Sequence, residues 1–247
     1  MSLLIEDRDH VRILTLSRPE RRNAIDQGLA DELSAAFDAI EADRVVRAVV
    51  ITGGSGFFCA GTDLGSEAPP RTEAGGPYGF LARTRRTPLI AAVEGFALGG
   101  GFECVLASDL VVAARDARFG APEVKRGVVA NTGALFRAGA RLPFNLATEM
   151  LVTGDPIGAE RAHQVGFVNV LAEPGGALEA ALDLAGRIVV NSPDAVAISL
   201  GAVAQQAAEQ EQRPWEITAG ADAEVARSPN RAEGVAAFFE KRPPRWS

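Results

Sequence analysis

Two glutamates in the middle of the chain stand next to glycine-bearing turns. Glu103 follows three consecutive glycines at residues 99–101, where a predicted helix begins, and Glu123 lies in a second turn at residues 119–128. Glycines at a helix start leave backbone N–H groups unpaired, and the helix dipole adds partial positive charge there. If an amide from the turn at residues 60–63 converges on the same carbonyl oxygen, the two turns form an oxyanion hole. Glu103 and Glu123 beside such a hole would perform general acid–base chemistry on a thioester.

Each of these features also has a purely structural explanation. A carboxylate such as Glu103 is favoured in the first turn of any helix. Glu123 could be a solvated loop residue paired with Lys125 or Arg126. The glycines at residues 99–101 could serve only the close packing of two backbones. Spacing alone leaves the catalytic and the structural interpretations both open.

Other catalytic and binding motifs are absent from the sequence. It has no G-x-x-x-x-G-K-[ST] phosphate loop and no G-x-S-x-G nucleophile elbow. The glycines at residues 54–56 and 99–101 each lack the third glycine of G-x-G-x-x-G, which makes a dinucleotide site the minor alternative. Two cysteines, Cys59 and Cys104, with two histidines provide neither a disulfide framework nor a typical zinc site. We therefore predict no metal site and a reducing, cytoplasmic location.

The overall composition is that of a folded, acidic protein. Its 247 residues are 47% hydrophobic and 23% charged, which suffices for a full core and excludes extensive disorder. A net charge of -7 argues against a nucleic-acid partner, because such a partner requires a basic face. No apolar run is long enough to span a bilayer, and the acidic N-terminal segment lacks the basic region of a signal peptide. We expect neither a membrane nor a nucleic acid among its partners.

Hydrophobic periodicity predicts an α/β arrangement to about residue 190 and a helical tail after it. The predicted strands cover residues 10–17, 45–52, 89–94, 110–114 and 167–171. The predicted helices cover residues 27–42, 100–108, 177–190, 194–210, 215–226 and 231–241, with Arg213-Pro214 separating two of them. Residues 65–79 hold many turn formers and are predicted to form a long mobile loop.

Several segments taken in order resemble the crotonase superfamily, the group of enoyl-CoA hydratases and isomerases. They are residues 16–19 (LSRP), 22–24 (RNA), the turns at 57–64, 95–103 and 119–128, and residues 154–160 (GDPIGAE), 166–169 (GFVN) and 233–242 (EGVAAFFEKR). The resemblance therefore runs over nearly the whole chain. Residues 99–103 and 122–127 are similar to the bacterial branch that includes carnitinyl-CoA dehydratase-like proteins.

This resemblance implies both an architecture and a substrate class. The expected fold is a spiral of repeated ββα units. Residues 1–190 would form the acyl-CoA-binding and catalytic core, and residues 191–247 would form a helical region that builds homotrimers, often paired into hexamers. The implied substrate is an acyl-CoA thioester. No cofactor is expected, because coenzyme A is part of the substrate.

The resemblance also assigns roles to individual residues. The backbone N–H groups of Thr62 and Gly100 would form the oxyanion hole, and Glu103 and Glu123 would be the catalytic pair. Residues expected to bind the substrate and its CoA are Ala24, Ala60, Thr62, Asp63, Leu64, Gly65, Gly100, Phe238 and Lys241. Of these, the last two would hold the CoA of a neighbouring subunit.

Two glutamates favour one reaction of the superfamily over the others. Hydration of a 2-trans-enoyl-CoA to a 3-hydroxyacyl-CoA, in fatty-acid or related acyl-CoA metabolism, needs a base for the water and an acid for C2. Glu103 would activate the water and Glu123 would protonate C2. The alternatives are an enoyl-CoA isomerase, a carnitinyl-CoA-type dehydratase, or a catalytically weak acyl-CoA-binding protein.

The chain departs from the family pattern at two places. Asn131 and Thr132 stand where the family often has glycines, and we expect their side chains to project into the acyl pocket. Thr62 replaces a commoner alanine at the hole. This change leaves the backbone donor intact and is expected to narrow the entrance.

Overall fold

A computed structural model describes the chain except for Met1, Ser55, Leu64, Ser66 and Glu67, and describes only the backbone of residues 207–212. The expectation for Leu64 therefore lies outside the described residues. Strands and helices are interspersed along the chain as far as residue 189. No strand follows residue 172 in the described part of the chain.

The secondary-structure elements have the following bounds. The strands are β1 (Leu3–Arg8), β2 (Val11–Leu16), β3 (Ala48–Thr52), β4 (Phe57–Cys59), β5 (Arg71–Thr72), β6 (Gly76–Pro77), β7 (Leu89–Val93), β8 (Phe96–Leu98), β9 (Leu110–Ala114), β10 (Arg118–Gly120), β11 (Ile157–Gly158) and β12 (Val170–Ala172). The helices are α1 (Gln27–Ala42), α2 (Gly100–Ala107), α3 (Ala134–Arg141), α4 (Phe144–Thr153), α5 (Ala159–Gln164), α6 (Ala177–Val189), α7 (Pro193–Ala226) and α8 (Pro229–Phe239). Short 3₁₀ helices lie at Pro19–Arg21 and Pro122–Arg126. Among the described residues no single helix meets the length and hydropathy needed to cross a membrane, and only the bent pair Ala177–Val189 and Pro193–Gln206 does so together.

Two sheets run through the core. The larger has the strand order β1-β2-β3-β7-β9-β12, and only the β1–β2 pair is antiparallel. The smaller has the order β11-β10-β8-β4, with β11 antiparallel to its neighbour. The consecutive pairs β3–β4, β7–β8 and β9–β10 each place one strand in each sheet, in matching order. The chain thus advances as the predicted spiral of ββα units.

The larger sheet is covered on both faces. Strands β3 and β7 are buried along their full length. Continuous apolar sequences of this kind are typical of central parallel strands. One face packs on α6 through Val50, Ile90 and Ala185. The opposite face joins the main core, which includes Phe58 and Phe102, and from which the two glycine turns emerge.

The tail differs from the sequence-based expectation at Pro214. The predicted break is wrong, because α7 continues through Pro214 as one helix of 34 residues. Proline removes a backbone hydrogen bond inside a helix. The next residue, Trp215, packs edge-on against Phe136 of α3 with 4.9 Å between ring centroids. The contact between Trp215 and Phe136 favours continuation of α7 at Pro214, where local propensity would end the helix.

The predicted mobile loop is also wrong over residues 70–79. Strands β5 and β6 form a small hairpin there, joined to α1 by two hydrogen bonds between Gln27 and Arg71 of 2.9 and 3.1 Å. The Tyr78 side chain that follows is only 1% exposed. The turn-forming residues of this segment thus form a compact hairpin, and the Tyr78 side chain that follows it is buried in the core. The longer elements outside the prediction are β1, whose residues are mostly exposed, and α3, α4 and α5; the short strands β4, β8, β10 and β11 were not predicted either.

Candidate active site

Asn23 positions the first glycine turn. Its buried side-chain amide donates to the carbonyl oxygens of Gly53 and Phe57, both at 2.9 Å. The Cys59 thiol donates back to the Asn23 carbonyl oxygen at 3.1 Å. One asparagine therefore joins the end of β3 to β4, which leads into the turn at residues 60–63.

The same turn leaves the Thr62 amide available. Ile25 N–H donates to the Gly61 carbonyl oxygen, and Asp63 N–H donates to the Ile25 carbonyl oxygen, both at 2.8 Å. These two bonds involve the Gly61 carbonyl oxygen before Thr62 and the Asp63 N–H after it. The hydrogen bonds of the described residues do not include that amide as a donor. Gly61 adopts φ +96°, which a residue with a side chain rarely adopts.

The second turn brings Gly100 to the same place. Gly99 caps α2 with φ 57° and donates its N–H to the Gly120 carbonyl oxygen at 2.8 Å. Gly100 is the first residue of α2, so its N–H has no partner within the helix. A β-carbon on Gly61 would lie 2.7 Å from the Gly100 nitrogen, and one on Gly101 would lie 2.1 Å from the Cys59 carbonyl oxygen. Only glycines allow the two turns to approach so closely. The predicted donors, Thr62 N–H and Gly100 N–H, therefore lie on adjoining turns.

Glu103 is held from three directions one turn into α2. Its Oε1 accepts from the backbone N–H groups of Thr132 and Ala134 at 2.8 and 2.9 Å, and its Oε2 accepts from the Thr132 hydroxyl. Burial raises the pKa of Glu103 above its ordinary value, and these hydrogen bonds, together with the charge of Arg137, oppose the rise. The carboxylate is thus fixed in one orientation and has donors that stabilise its charged form.

Glu123 has a contrasting environment. Its Oε1 would lie 3.0 Å from a β-carbon on Gly99, which places the carboxyl group beside the start of α2. Its Oε2 is buried and has no hydrogen-bond partner. Burial and then the negative charge of Glu103 raise the pKa of Glu123 to about 8. The protonated form of Glu123 is therefore favoured at pH values below about 8, next to a second carboxyl group whose three hydrogen-bond donors favour its charged form.

The simpler explanations for Glu123 do not hold. Lys125 pairs with Asp155, at 2.5 Å. The Arg126 guanidinium lies over the Phe238 ring, 4.6 Å from its centroid. Neither cation forms a salt bridge with Glu123 in the described structure, so the carboxyl group faces the turn at Gly99 instead of solvent.

The residues expected to bind CoA fall in two places. Ala24, Ala60, Asp63 and Gly65 belong to the first turn and the segment beside it. Asp63 pairs with Arg18 at 3.1 Å; burial opposes ionisation, but bonds from Gly65 N–H and Arg18 lower the pKa of Asp63 overall. Asp63 is therefore an anchor of the turn.

Phe238 lies in the last turn of α8 and Lys241 lies two residues after its end, both far along the chain from the glycine turns. A β-carbon on Gly234 would lie 2.3 Å from the Arg126 carbonyl oxygen, so α8 packs directly on the 3₁₀ helix that carries Glu123. Phe238 is 43% exposed and Lys241 is exposed. Both side chains are thus accessible at the surface next to the Glu123 segment of their own chain.

The structure alters the expectation for Asn131 and Thr132. Thr132 does not offer its hydroxyl to a pocket but donates it to Glu103. The Asn131 side-chain amide donates to Asp222 of α7 at 3.2 Å. A carboxylate of the helical tail, that of Asp222, therefore binds the residue next to Thr132, which orients Glu103.

Tyr78 is a site residue that sequence analysis missed. It is the only tyrosine of the chain. Its hydroxyl lies 2.6 Å from Thr62 Oγ1. The sole sequence signal is an aromatic residue between Pro77 and Gly79 in a segment otherwise poor in apolar residues.

The spiral fold with two glutamates at adjoining glycine turns defines an α/β enzyme of the crotonase superfamily, as the sequence predicted. Within that superfamily the chain belongs to the enoyl-CoA hydratase/isomerase family, whose model matches residues 6–247. The predicted fold and the predicted enzyme type are thereby confirmed.

Individual relatives match over almost their whole length. The chain is 37% identical to mevalonyl-coenzyme A hydratase SIDH of Beauveria bassiana over 96% of this chain and 91% of that protein. It is 35% identical to enoyl-CoA hydratase EchA19 of Mycobacterium tuberculosis over 98% of this chain and 95% of that protein. A crystal structure of carnitinyl-CoA hydratase from Mycobacterium avium superposes with a TM-score of 0.94 at 40% identity, covering 100% of this chain and 98% of that one.

Proposed function

We propose that this protein hydrates the C2=C3 double bond of a 2-trans-enoyl-CoA to give a 3-hydroxyacyl-CoA. The observation that carries the proposal is the contrast between the two glutamates. Glu103 has three hydrogen-bond donors that stabilise its anion. Glu123 has an unpartnered buried oxygen and a pKa of about 8. One carboxylate and one carboxylic acid at the same pH are what the addition of water requires.

This geometry supports the following steps for the proposed reaction. The thioester oxygen binds the amides of Thr62 and Gly100, which stabilise the negative charge that develops on it when water attacks C3. Glu103 orients that water and removes its proton. Glu123 delivers its proton to C2, and the reverse reaction exchanges the roles of acid and base. Water provides both the hydroxyl group added at C3 and, in net terms, the proton added at C2. After the addition Glu103 holds a proton and Glu123 has lost one, so transfer of one proton from Glu103 to Glu123 restores the starting state.

Substrate binding and assembly belong to the same proposal. Residues 62–65, including Leu64, would line the path of the CoA moiety, together with Ala24 and Ala60. Phe238 and Lys241, exposed at the end of α8, would hold the CoA of a neighbouring subunit. Residues 191–247 would form the trimer contact of a homotrimer or hexamer around the catalytic core of residues 1–190. Apart from the CoA of the substrate, we propose no cofactor.

A second candidate is the dehydration or hydration of a polar acyl-CoA of the carnitinyl type. The observation that favours it is the Asn131–Asp222 hydrogen bond, which places an amide and a carboxylate beside Thr132. A polar acyl group would find hydrogen-bond partners there. The same Glu103–Glu123 pair would catalyse this reaction, so the two candidates differ in substrate and not in chemistry.

A substrate panel tests the proposal and separates the candidates. Crotonyl-CoA, longer 2-enoyl-CoAs and carnitinyl-CoA are compared by kcat/KM, with the ultraviolet absorbance of the conjugated thioester as the readout. We expect this absorbance to fall with enoyl substrates and the Glu123→Gln variant to lose the activity. Preference for carnitinyl-CoA would favour the second candidate. Binding of CoA thioesters without turnover of any of them would contradict both.

A further inference from the structure

The Tyr78 side chain is held rigidly against the glycine turns. Its backbone, with φ +53°, donates to the Pro70 carbonyl oxygen at 3.0 Å. The next residue packs so tightly that a β-carbon on Gly79 would lie 2.2 Å from the Ala30 carbonyl oxygen of α1. Phe80 then stacks on Phe37 with 5.1 Å between centroids. The phenol is therefore a fixed wall of the site.

The phenol hydroxyl lies between the two turns that carry the proposed oxyanion donors. It is 2.6 Å from Thr62 Oγ1. A β-carbon on Gly100 would lie 2.0 Å from the same hydroxyl oxygen. This β-carbon and the Gly100 nitrogen are both bonded to the Gly100 α-carbon, so they are about 2.5 Å apart. The hydroxyl oxygen therefore lies at most about 4.5 Å from the Gly100 nitrogen. A thioester oxygen that accepts a hydrogen bond from the Gly100 N–H would thus lie close to the phenol hydroxyl.

One hydroxyl proton of the Thr62–Tyr78 pair is not used in the hydrogen bond between them. Thr62 and Tyr78 together carry two hydroxyl protons, and the hydrogen bond between them uses one. Among the described residues neither hydroxyl has another hydrogen-bond partner. Buried hydroxyl protons are normally donated to an acceptor. Burial and the nearby charge of Glu103 raise the pKa of the phenol well above its ordinary value, so that proton stays on the oxygen.

We propose that Tyr78 is a third donor of the oxyanion hole, its hydroxyl hydrogen-bonding to the thioester oxygen beside the amides of Thr62 and Gly100. The Thr62 hydroxyl then donates to the phenol oxygen and orients it. Since the phenol is fixed before substrate binds, it stabilises developing charge without reorganisation, as preorganised donors do. This inference rests on the proposed oxyanion hole and deepens it by naming a side-chain donor.

The test is Tyr78→Phe, which removes the hydroxyl and keeps the ring that packs against Gly100. We expect kcat for crotonyl-CoA hydration to fall about tenfold to a hundredfold, with KM changing less than about threefold. The second readout is binding: the preference for acetoacetyl-CoA, whose enolate carries charge on the thioester side, over saturated butyryl-CoA should fall about tenfold. A purely structural role for the ring would change the affinity for both ligands equally.

Thr62→Val is the matched variant, because it removes the orienting hydroxyl but keeps both backbone donors and the phenol. Its losses should be smaller than those of Tyr78→Phe, and the double variant should resemble Tyr78→Phe. Unchanged kcat and an unchanged ligand preference in Tyr78→Phe would overturn the proposal, as would faster turnover, which would mean that the hydroxyl obstructs the hole. If the wild-type protein hydrates no enoyl-CoA, the proposed function fails, yet the ligand preference still decides the role of Tyr78.

Discussion

Thr132 holds Glu103 by both its backbone and its side chain, donating N–H to Oε1 at 2.8 Å and its hydroxyl to Oε2. The two residues are 29 positions apart in the chain. The hydroxyl bond stabilises the ionised form of a carboxylate whose burial works against ionisation. Thr132 is therefore a positioning residue for the proposed general base.

Thr132→Val should reduce activity through the pKa of Glu103. Valine has nearly the same shape but donates nothing to Oε2, so the pKa of Glu103 should rise further. The acidic limb of the kcat/KM profile should therefore move to higher pH, so that the loss of activity is greatest at the acidic end of the profile. Thr132→Ser keeps a hydroxyl and should restore most of the wild-type profile. Identical profiles for the valine variant and the wild type would contradict the assigned role.

Replacement of either glutamate by glutamine should slow the chemical step. Glu123→Gln keeps the size of the side chain and removes its titratable proton, and turnover should fall by roughly 10²-fold or more. Glu103→Gln should also slow hydration. Binding of butyryl-CoA, measured by calorimetry, controls for damage to the site and should be retained. Wild-type rates in both variants would show that the proposed roles are wrong.

Activity should decline as the pH rises through about 8. The proposed acid is the protonated form of Glu123, whose pKa is about 8 because of burial and the charge of Glu103. Deprotonation removes the group that protonates C2, so kcat/KM should fall about tenfold per pH unit above that value. A substrate that needs no protonation, or a binding assay with butyryl-CoA, should lack this limb. A rate that stays constant to pH 10 would exclude Glu123 as the acid.

The same pKa predicts a pH-dependent stability difference between wild type and Glu123→Gln. A carboxyl group with a pKa of 4.5 unfolded and about 8 folded holds its proton more tightly in the native state. Its favourable contribution is complete below pH 4.5 and is lost between that pH and about 8. Glutamine does not ionise, so the Glu123→Gln variant does not show this decrease in the free energy of unfolding, which is on the order of a few kcal/mol. Its melting temperature should match that of wild type near pH 4.5 and exceed it by several degrees at pH 9, and equal values at both pH values would contradict the shift.

The helical tail should mediate assembly. Ile198, Val203 and Ile217 of α7 and Phe239 of α8 are all more than 60% exposed in the single chain. Apolar side chains concentrated on two helices favour a subunit contact. Light scattering coupled to gel filtration should therefore give the mass of a trimer or a larger oligomer, and Ile198→Asp should reduce it. A monomer with full activity at micromolar concentration would contradict both this contact and the shared CoA site.

Much of the site could be predicted from local sequence alone. Residues 99–101 can approach residues 60–63 only because they lack side chains, and glycine content is visible without a structure. Buried parallel strands have continuous apolar sequences, so β3, β7 and β9 were expected at nearly their observed places. The glutamates could be found because they follow those turns at short, fixed distances.

Other properties depend on residues that are distant in sequence. The difference between Glu103 and Glu123 arises from burial and from partners such as Thr132, none of which composition reveals. Tyr78 reaches Thr62 only because a hairpin assigned to a mobile loop folds onto α1. Local propensity predicts that a helix ends at Pro214, yet Trp215 packs against Phe136 and α7 continues through the proline.

The resemblance to the crotonase superfamily implied the spiral of ββα units, and the amino-acid sequence by itself determined the alternation of strands and helices, the glycine turns and the identity of the two carboxyl groups. These follow from short-range patterns of apolar, glycine and acidic residues. Only the tertiary structure decided the different surroundings of the two carboxyl groups, the contact between the hydroxyls of Tyr78 and Thr62 and the contact of the tail with the core. The physical reason is that desolvation and hydrogen bonding depend on every neighbour in space, whereas backbone propensity depends on neighbours along the chain.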